Sequence, residues 1–211
     1  MKKNNKKILV LAPHTDDGEL GCGGSIARFI EEGKDVYYVA FSTAEESVDP
    51  KLPKNILEIE VKKATQKLGI KKENLFIYNN EVRKLNYIRQ EILEELILLK
   101  KKINPDIIFM PTINDIHQDH YTIAQEGLRA FKDRTLLGYE LIWNNISFNT
   151  TSFITLNRKH IQSKVNALKE YKSQKDRAYM SEEFIFSLAK SRGIQIGKEY
   201  AECFEIIRCV M

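Results

Sequence analysis

The chain has 211 residues, 43% apolar and 29% charged, enough for one sizeable core and the balance of a soluble globule rather than of a disordered or membrane protein. Its formal charge of +4 comes from lysines scattered among glutamates, apart from Lys2, Lys3, Lys6 and Lys7 and the run Lys100 to Lys102, which excludes a dedicated nucleic-acid face. Three cysteines, Cys22, Cys203 and Cys209, lack C-x-x-C spacing, so a disulfide framework is not expected and a cytoplasmic, reducing setting is.

The basic start followed by Ile8 to Pro13 imitates a secretory signal, but such a signal needs an apolar region of about 7–15 residues, and His14, Asp16 and Asp17 end this one early. No later run approaches the ~20 apolar residues of a membrane span. Lys7 to Ala12 reads as a buried strand, and Leu20 to Glu32 as a helix stopped by Gly33. A second strand spans Asp35 to Ser42, a helix runs from Pro53 to Leu68 and ends at Gly69, and Asn74 to Tyr78 is a short third strand.

Tyr87 to Ile103 is the clearest helix, with Ile88, Ile92, Leu96, Leu99 and Ile103 recurring at intervals of three and four and lysines at the negative end of its dipole. Asp106 to Met110 is the fourth strand, Tyr121 to Phe131 a helix, and Leu136 to Trp143 the fifth strand. A strand near Phe153 to Leu156, helices over about 158–171 and 182–191, and a strand around Cys203 to Ile207 complete the chain as one domain, 1–211. Alternating strands and helices predict an α/β fold, a Rossmann-like open and mostly parallel sheet. Its expected order is 3-2-1-4-5 with extra C-terminal strands, and helices cover both faces.

In that order the first and fourth strands are neighbours at the point where the winding reverses, and ligands bind beyond their carboxyl ends. Three of the four histidines fall there: His14 after the first strand, His117 and His120 after the fourth. His14 and Asp17 are three residues apart, as are His117 and His120, so each pair lies on one side of a turn or helix start. Two imidazoles and a carboxylate converging from two loops, with a fourth position open, match a catalytic zinc site. Each loop alone has a plainer explanation as a helix cap or hydrogen-bonded turn; together, with the spare carboxylates Asp16 and Asp119, they point to metal chemistry. Asp16 cannot readily bind the same ion as Asp17, yet lies where it would accept a proton from metal-bound water as a general base.

Gly21, Gly23 and Gly24 do not have the G-x-G-x-x-G spacing of a phosphate loop and are expected to let the helix approach the sheet. Cys22 in that segment is expected to be buried. Arg83, Arg89, Trp143 and Asn144 are candidates for substrate contact, against a core position for Trp143 and a surface position for the arginines.

With these residues in place the sequence resembles the PIG-L, or LmbE-like, family of zinc-dependent N-deacetylases over nearly its whole length. His14-Thr15-Asp16-Asp17-Gly18-Glu19 with the following glycines looks like the family's first motif and Asp115-Ile116-His117-Gln118-Asp119-His120 like its second. Weaker similarities are Val82-Arg83-Lys84-Leu85, Tyr171-Lys172-Ser173-Gln174 and Gly197 to Phe204. Thr15 stands where the family usually has proline.

The resemblance implies zinc, one divalent ion per chain with iron or cobalt able to substitute, held by His14, Asp17 and His120. It implies Asp16 as base and His117 as the group that stabilises the oxyanion or protonates the leaving amine. Asp119 is placed to orient a protonated His117, and Arg83 and Trp143 to contact substrate. The implied substrate is a small N-acylated amino sugar, sugar nucleotide or glycoconjugate, with no nucleic acid and no membrane span, in a chain compatible with a homo-oligomer. A nucleotide- or sugar-binding module, or a non-catalytic interaction protein on the same fold, is the alternative.

Overall fold

The computed structural model describes residues 6–211; Lys2 and Lys3 of the basic start lie outside the described residues. The strands are β1 (Lys7–His14), β2 (Asp35–Ser42), β3 (Leu75–Ile77), β4 (Ile107–Pro111), β5 (Thr135–Tyr139), β6 (Ser152–Leu156) and β7 (Tyr200–Arg208), and the helices α1 (Asp17–Glu31), α2 (Ile56–Leu68), α3 (Arg89–Ile103), α4 (Gln118–Ala130), α5 (Arg158–Leu168) and α6 (Glu182–Ile194).

These strands form one sheet in the order β3-β2-β1-β4-β5-β7-β6. The first five are parallel in the expected 3-2-1-4-5 order. The C-terminal strands add an antiparallel edge in which β7 lies between β5 and β6. Residues of β1 alternate between two cores: Ile8, Val10 and Ala12 pack on one face with Ile26, Val61 and Val165, while Leu9 and Leu11 pack on the other with Leu96, Ile108 and Ile123. Both faces are covered, which is why β1 reads as a continuous apolar run rather than an alternating one. No helix of the described residues is long and apolar enough to cross a membrane.

Three boundaries differ from the sequence expectation in ways that matter for function. Helix α1 starts at Asp17 rather than Leu20, with no side-chain cap at Asp16, and α4 at Gln118 rather than Tyr121, where the His117 ring accepts the Asp119 amide; apolar periodicity registers neither start. Strand β5 stops at Tyr139, and the chain then turns, with the Asn145 side chain accepting from the Leu141 amide at 2.7 Å. Trp143 is therefore on a turn and not in a strand.

Helix α1 is broken at Cys22, whose φ of −145° and ψ of 22° lie outside the helical region. Two buried charges satisfy the backbone groups freed there. Lys164 Nζ donates to the Leu20 carbonyl at 2.6 Å and to Glu202 at 2.8 Å, and Glu202 accepts from the Gly24 and Ser25 amides at 3.0 and 2.7 Å. The carboxylate thus acts as an N-cap for the second half of the helix. Gly21 has a different reason: a Cβ there would lie 2.4 Å from the Tyr139 ring.

Replacing Lys164 by Met strands the Glu202 carboxylate and is expected to cost about 3–5 kcal/mol in urea unfolding. The double variant Lys164→Met/Glu202→Gln should regain only part of this, since a carboxamide has one acceptor for the two amides.

Candidate active site

The β1–α1 and β4–α4 connections meet beyond the carboxyl ends of their strands. His14 Nδ1, Asp17 Oδ2 and His120 Nε2 are separated by 3.1 Å, 3.2 Å and 3.2 Å. Nitrogen and oxygen donors held tetrahedrally at about 2.0–2.2 Å from one ion lie about 3.3–3.5 Å apart, so the spacing fits such an ion. His117 joins more loosely: nitrogens of His14, His117 and His120 lie within 4.8 Å of one another, and this cluster could hold a metal.

Two buried carboxylates fix which histidine nitrogens face the centre. His14 Nε2 is 3.0 Å from Asp119 Oδ2, and His120 Nδ1 is 2.8 Å from Asp115 Oδ2. A carboxylate only accepts, so those outer nitrogens carry protons, and His14 Nδ1 and His120 Nε2 face the centre, where they would present their lone pairs to an ion. Asp119 also accepts the Arg83 amide at 2.6 Å and the Leu85 amide at 3.2 Å. Asp115 was not singled out in the sequence; the carboxylate five residues before a site histidine is the signal that could have found it.

The expectation that Asp119 holds a protonated His117 is corrected here. The Asp119 carboxylate is occupied by His14 and two amides, whereas His117 caps α4, its Nδ1 accepting the Asp119 amide at 3.2 Å. That bond leaves the proton on Nε2 of a neutral ring. Burial and the neighbouring His120 and His14 push its pKa down to about 4, consistent with the neutral form.

Asp16 occupies the turn before α1 with Asp17 as its neighbour. Desolvation, and then the Asp17 charge, raise its pKa to about 6. Burial also opposes ionisation of Asp17, but His120 and His14 outweigh it and hold that carboxyl well below the usual range. Burial lowers His14 and His120, yet the Asp17 charge and the Asp119 and Asp115 hydrogen bonds raise them to about 9 and about 10. The turn itself is anchored from below. Hydroxyls of Tyr38 and Tyr171 donate to the Thr15 carbonyl at 2.8 and 2.7 Å, and both contact the buried Glu19 carboxyl. This clamp stiffens a loop that has threonine where proline would have done so.

A cavity of about 310 Å3 opens over the cluster, lined among others by Asp16, Arg83, His117, Trp143, Arg177 and Tyr179. Trp143 stacks on Tyr179 with ring centroids 4.0 Å apart and planes 12° apart. Arg83 and Asn144 also reach the cavity. Arg89 does not; its guanidinium pairs with the buried Glu126 at 2.5 Å. Gln174 closes the weak similarity at Tyr171 to Gln174, whereas Arg177 and Tyr179 lie beyond it on the α5–α6 connection, where the sequence carries no periodic signal.

The profile of the family described as GlcNAc-PI de-N-acetylase, PIG-L, matches residues 9–131. The uncharacterized deacetylase YaiS of Escherichia coli K12 is 28% identical over 173 residues, 80% of this chain and 91% of that protein. The diacetylchitobiose deacetylase of Thermococcus kodakarensis is 31% identical over 134 residues, 59% of this chain and 49% of its own length. Among solved structures, the conserved protein TT1542 of Thermus thermophilus superposes with a TM-score of 0.82 at 25% identity, covering 97% of this chain and 95% of the other.

The charge pattern makes the metal-free chain sensitive to alkali. His14 and His120 share the Asp17 acceptor at 3.1 and 3.2 Å, so they are treated as a pair holding at least one proton. A folded-state pKa above the unfolded value of about 6.5 gives stability that is present below pH 6.5 and lost as pH rises through about 9 to 10. The unfolding free energy of chelated protein should therefore fall by roughly 3 kcal/mol between pH 6.5 and 10. Binding of a divalent ion should release protons, measurable by calorimetry in buffers of different ionisation enthalpy.

Proposed function

The chain belongs to the PIG-L family of GlcNAc-PI de-N-acetylases, and from that premise we propose that it is a zinc-dependent N-deacetylase acting on an amino sugar or amino-sugar conjugate. The observation that carries this reading is the triangle of His14 Nδ1, Asp17 Oδ2 and His120 Nε2 with sides of 3.1–3.2 Å beside the base Asp16. These three residues would hold one divalent ion, zinc in the first instance, with iron or cobalt as substitutes. When bound, the ion supplies Lewis acidity, polarising an amide carbonyl and making water more acidic.

The remaining chemistry belongs to the protein. Asp16, pushed up to about 6 by burial and by Asp17, is ionised at neutral pH yet basic enough to take a proton from the attacking water. The same carboxylic acid then returns that proton to the departing amine, which leaves Asp16 ionised for the next cycle. His117 Nε2–H, turned outward by the helix-cap bond on Nδ1, donates to the oxygen on which negative charge develops. Asp119 and Asp115 keep the His14 and His120 rings in the orientation that presents a lone pair. Trp143 and Arg83 lie on the cavity wall, where they would contact substrate. The buried, unpaired Cys22 and Cys203 support a reducing, cytoplasmic setting.

Three measurements test this assignment. Chelation should abolish deacetylation of an N-acetylated amino sugar, and zinc should restore it. Asp16→Asn should retain the ion but lose on the order of 10²–10⁴ in turnover. His117→Ala should also retain it and lose on the order of 10²–10³ in turnover with little change in KM. Loss of the ion from the last variant would instead make His117 a ligand.

A further inference from the structure

The Asp16 side chain makes no capping hydrogen bond to α1, so the direction in which its carboxylate points is left to the backbone. Its φ of −99° and ψ of −10° fall in the sparsely populated bridge region between the strand and helix wells. A residue stays there only where its surroundings fix it. The peptide after Asp16 is fixed by the Leu20 amide, which donates to the Asp16 carbonyl at 3.0 Å. The peptide before it carries the Thr15 carbonyl, and this oxygen accepts from the hydroxyls of Tyr38 and Tyr171 at 2.8 and 2.7 Å.

These two hydroxyls reach one carbonyl from distant parts of the chain, Tyr38 from β2 and Tyr171 from just beyond α5. Both side chains are fully enclosed, with 0% and 1% of their surface exposed. Burial, and then the charge of Glu19, push both phenols well above the usual tyrosine range, so both keep the proton they donate. Each hydroxyl also meets an oxygen of the buried Glu19. The two protons are thus shared among the Thr15 carbonyl and the Glu19 carboxyl, and the place of each hydroxyl depends on all of these partners. Tyr38 supports the turn at a second point, its hydroxyl accepting the Gly18 amide at 3.1 Å. Gly18 permits that approach, since a Cβ there would lie 2.5 Å from the Tyr38 ring.

Asp17 is held in another way. Its Oδ2 accepts the His14 amide at 2.8 Å and lies 3.1 and 3.2 Å from the His14 and His120 rings. Releasing the Thr15 carbonyl therefore turns Asp16 while the neighbouring carboxylate keeps its own anchors. Asp16 lines the cavity, whereas Glu19, Tyr38 and Tyr171 are not among its lining residues, so the tyrosines act on whatever occupies it only through the turn.

We propose that Tyr171, with Tyr38 and Glu19 behind it, is a positioning residue for the reaction: the paired hydroxyls orient the Thr15–Asp16 peptide so that the Asp16 carboxylate faces the water it deprotonates. This deepens the deacetylase reading and rests on it for the role of Asp16, though not for the orientation of the peptide.

The test measures kcat and KM for the methyl glycoside of N-acetylglucosamine with the zinc-loaded protein, Tyr171→Phe, Asp16→Asn and the double variant. Tyr171→Phe should lower kcat by about 10- to 100-fold, the penalty of a misplaced catalytic group, with KM and zinc content unchanged. In the Asp16→Asn background the same replacement should lower kcat by no more than about threefold, because a base already removed cannot be misplaced. Tyr38→Phe, which removes the other hydroxyl, provides the same comparison and should behave alike. Full turnover in Tyr171→Phe, or an equal loss in both backgrounds, would overturn the proposal and leave the deacetylase reading standing. If the unaltered protein does not hydrolyse the glycoside, the deacetylase reading fails for this substrate, and crystal structures of the parent and of Tyr171→Phe decide the orientation. A Thr15–Asp16 peptide that has rotated in the variant supports it; an unmoved peptide and Asp16 side chain overturn it.

Discussion

The fully buried carboxylate of Asp119 is the tie on which the site depends. It accepts from the His14 ring and from the amides of Arg83 and Leu85, joining the β1–α1 turn, the approach to α3 and the first turn of α4. A buried charge is tolerated only when its oxygens are filled, and here they are filled by groups from two other parts of the chain, His14 and the Arg83–Leu85 segment. Moving any one of them leaves the carboxylate short of a donor, so the site is held as a unit.

A second buried carboxylate works at the break in α1. The first turn of α1 must present Asp16 and Asp17 to the histidines while its later turns lie against α5 and the sheet. An unbroken helix has one axis for both tasks. The break at Cys22 uncouples them, and Glu202 with Lys164 replaces the backbone hydrogen bonds lost there. The glycines and the C-terminal Glu202, far apart in sequence, are thus parts of one device, in which the glycines make room for Tyr139, Lys164 and Glu202.

The parallel half of the fold was legible because β1, β2 and β4 are buried on both faces and α3 has strict apolar periodicity. Those are local signals with a physical cause. The histidine cluster was legible for a topological reason, since residues at the carboxyl ends of β1 and β4 must meet whatever the details. The starts of α1 and α4 were not, because their first residues, Asp17 to Glu19 and Gln118 to His120, are polar or glycine, and periodicity registers only apolar positions. Assigning Asp119 to His117 failed for a related reason: adjacency in sequence suggested a pair, whereas the helix start turns the carboxylate toward His14 and leaves only its amide for His117. The insertion of β7 between β5 and β6 likewise required knowledge of pairing that neither strand carries alone.

The division between what chemistry needs and what recognition needs follows from these placements. The reacting groups sit within two short motifs at strand ends, where a rigid sheet fixes them. The cavity wall is instead assembled from Ser47, Arg83, Trp143, Gln174, Arg177 and Tyr179, which lie on four different connections. Connections tolerate substitution because little packs against them, so the wall can be rebuilt while the centre is kept. In this chain that wall combines the stacked rings of Trp143 and Tyr179 with the side chains of Arg83 and Arg177, none of which belongs to the two short motifs at the strand ends.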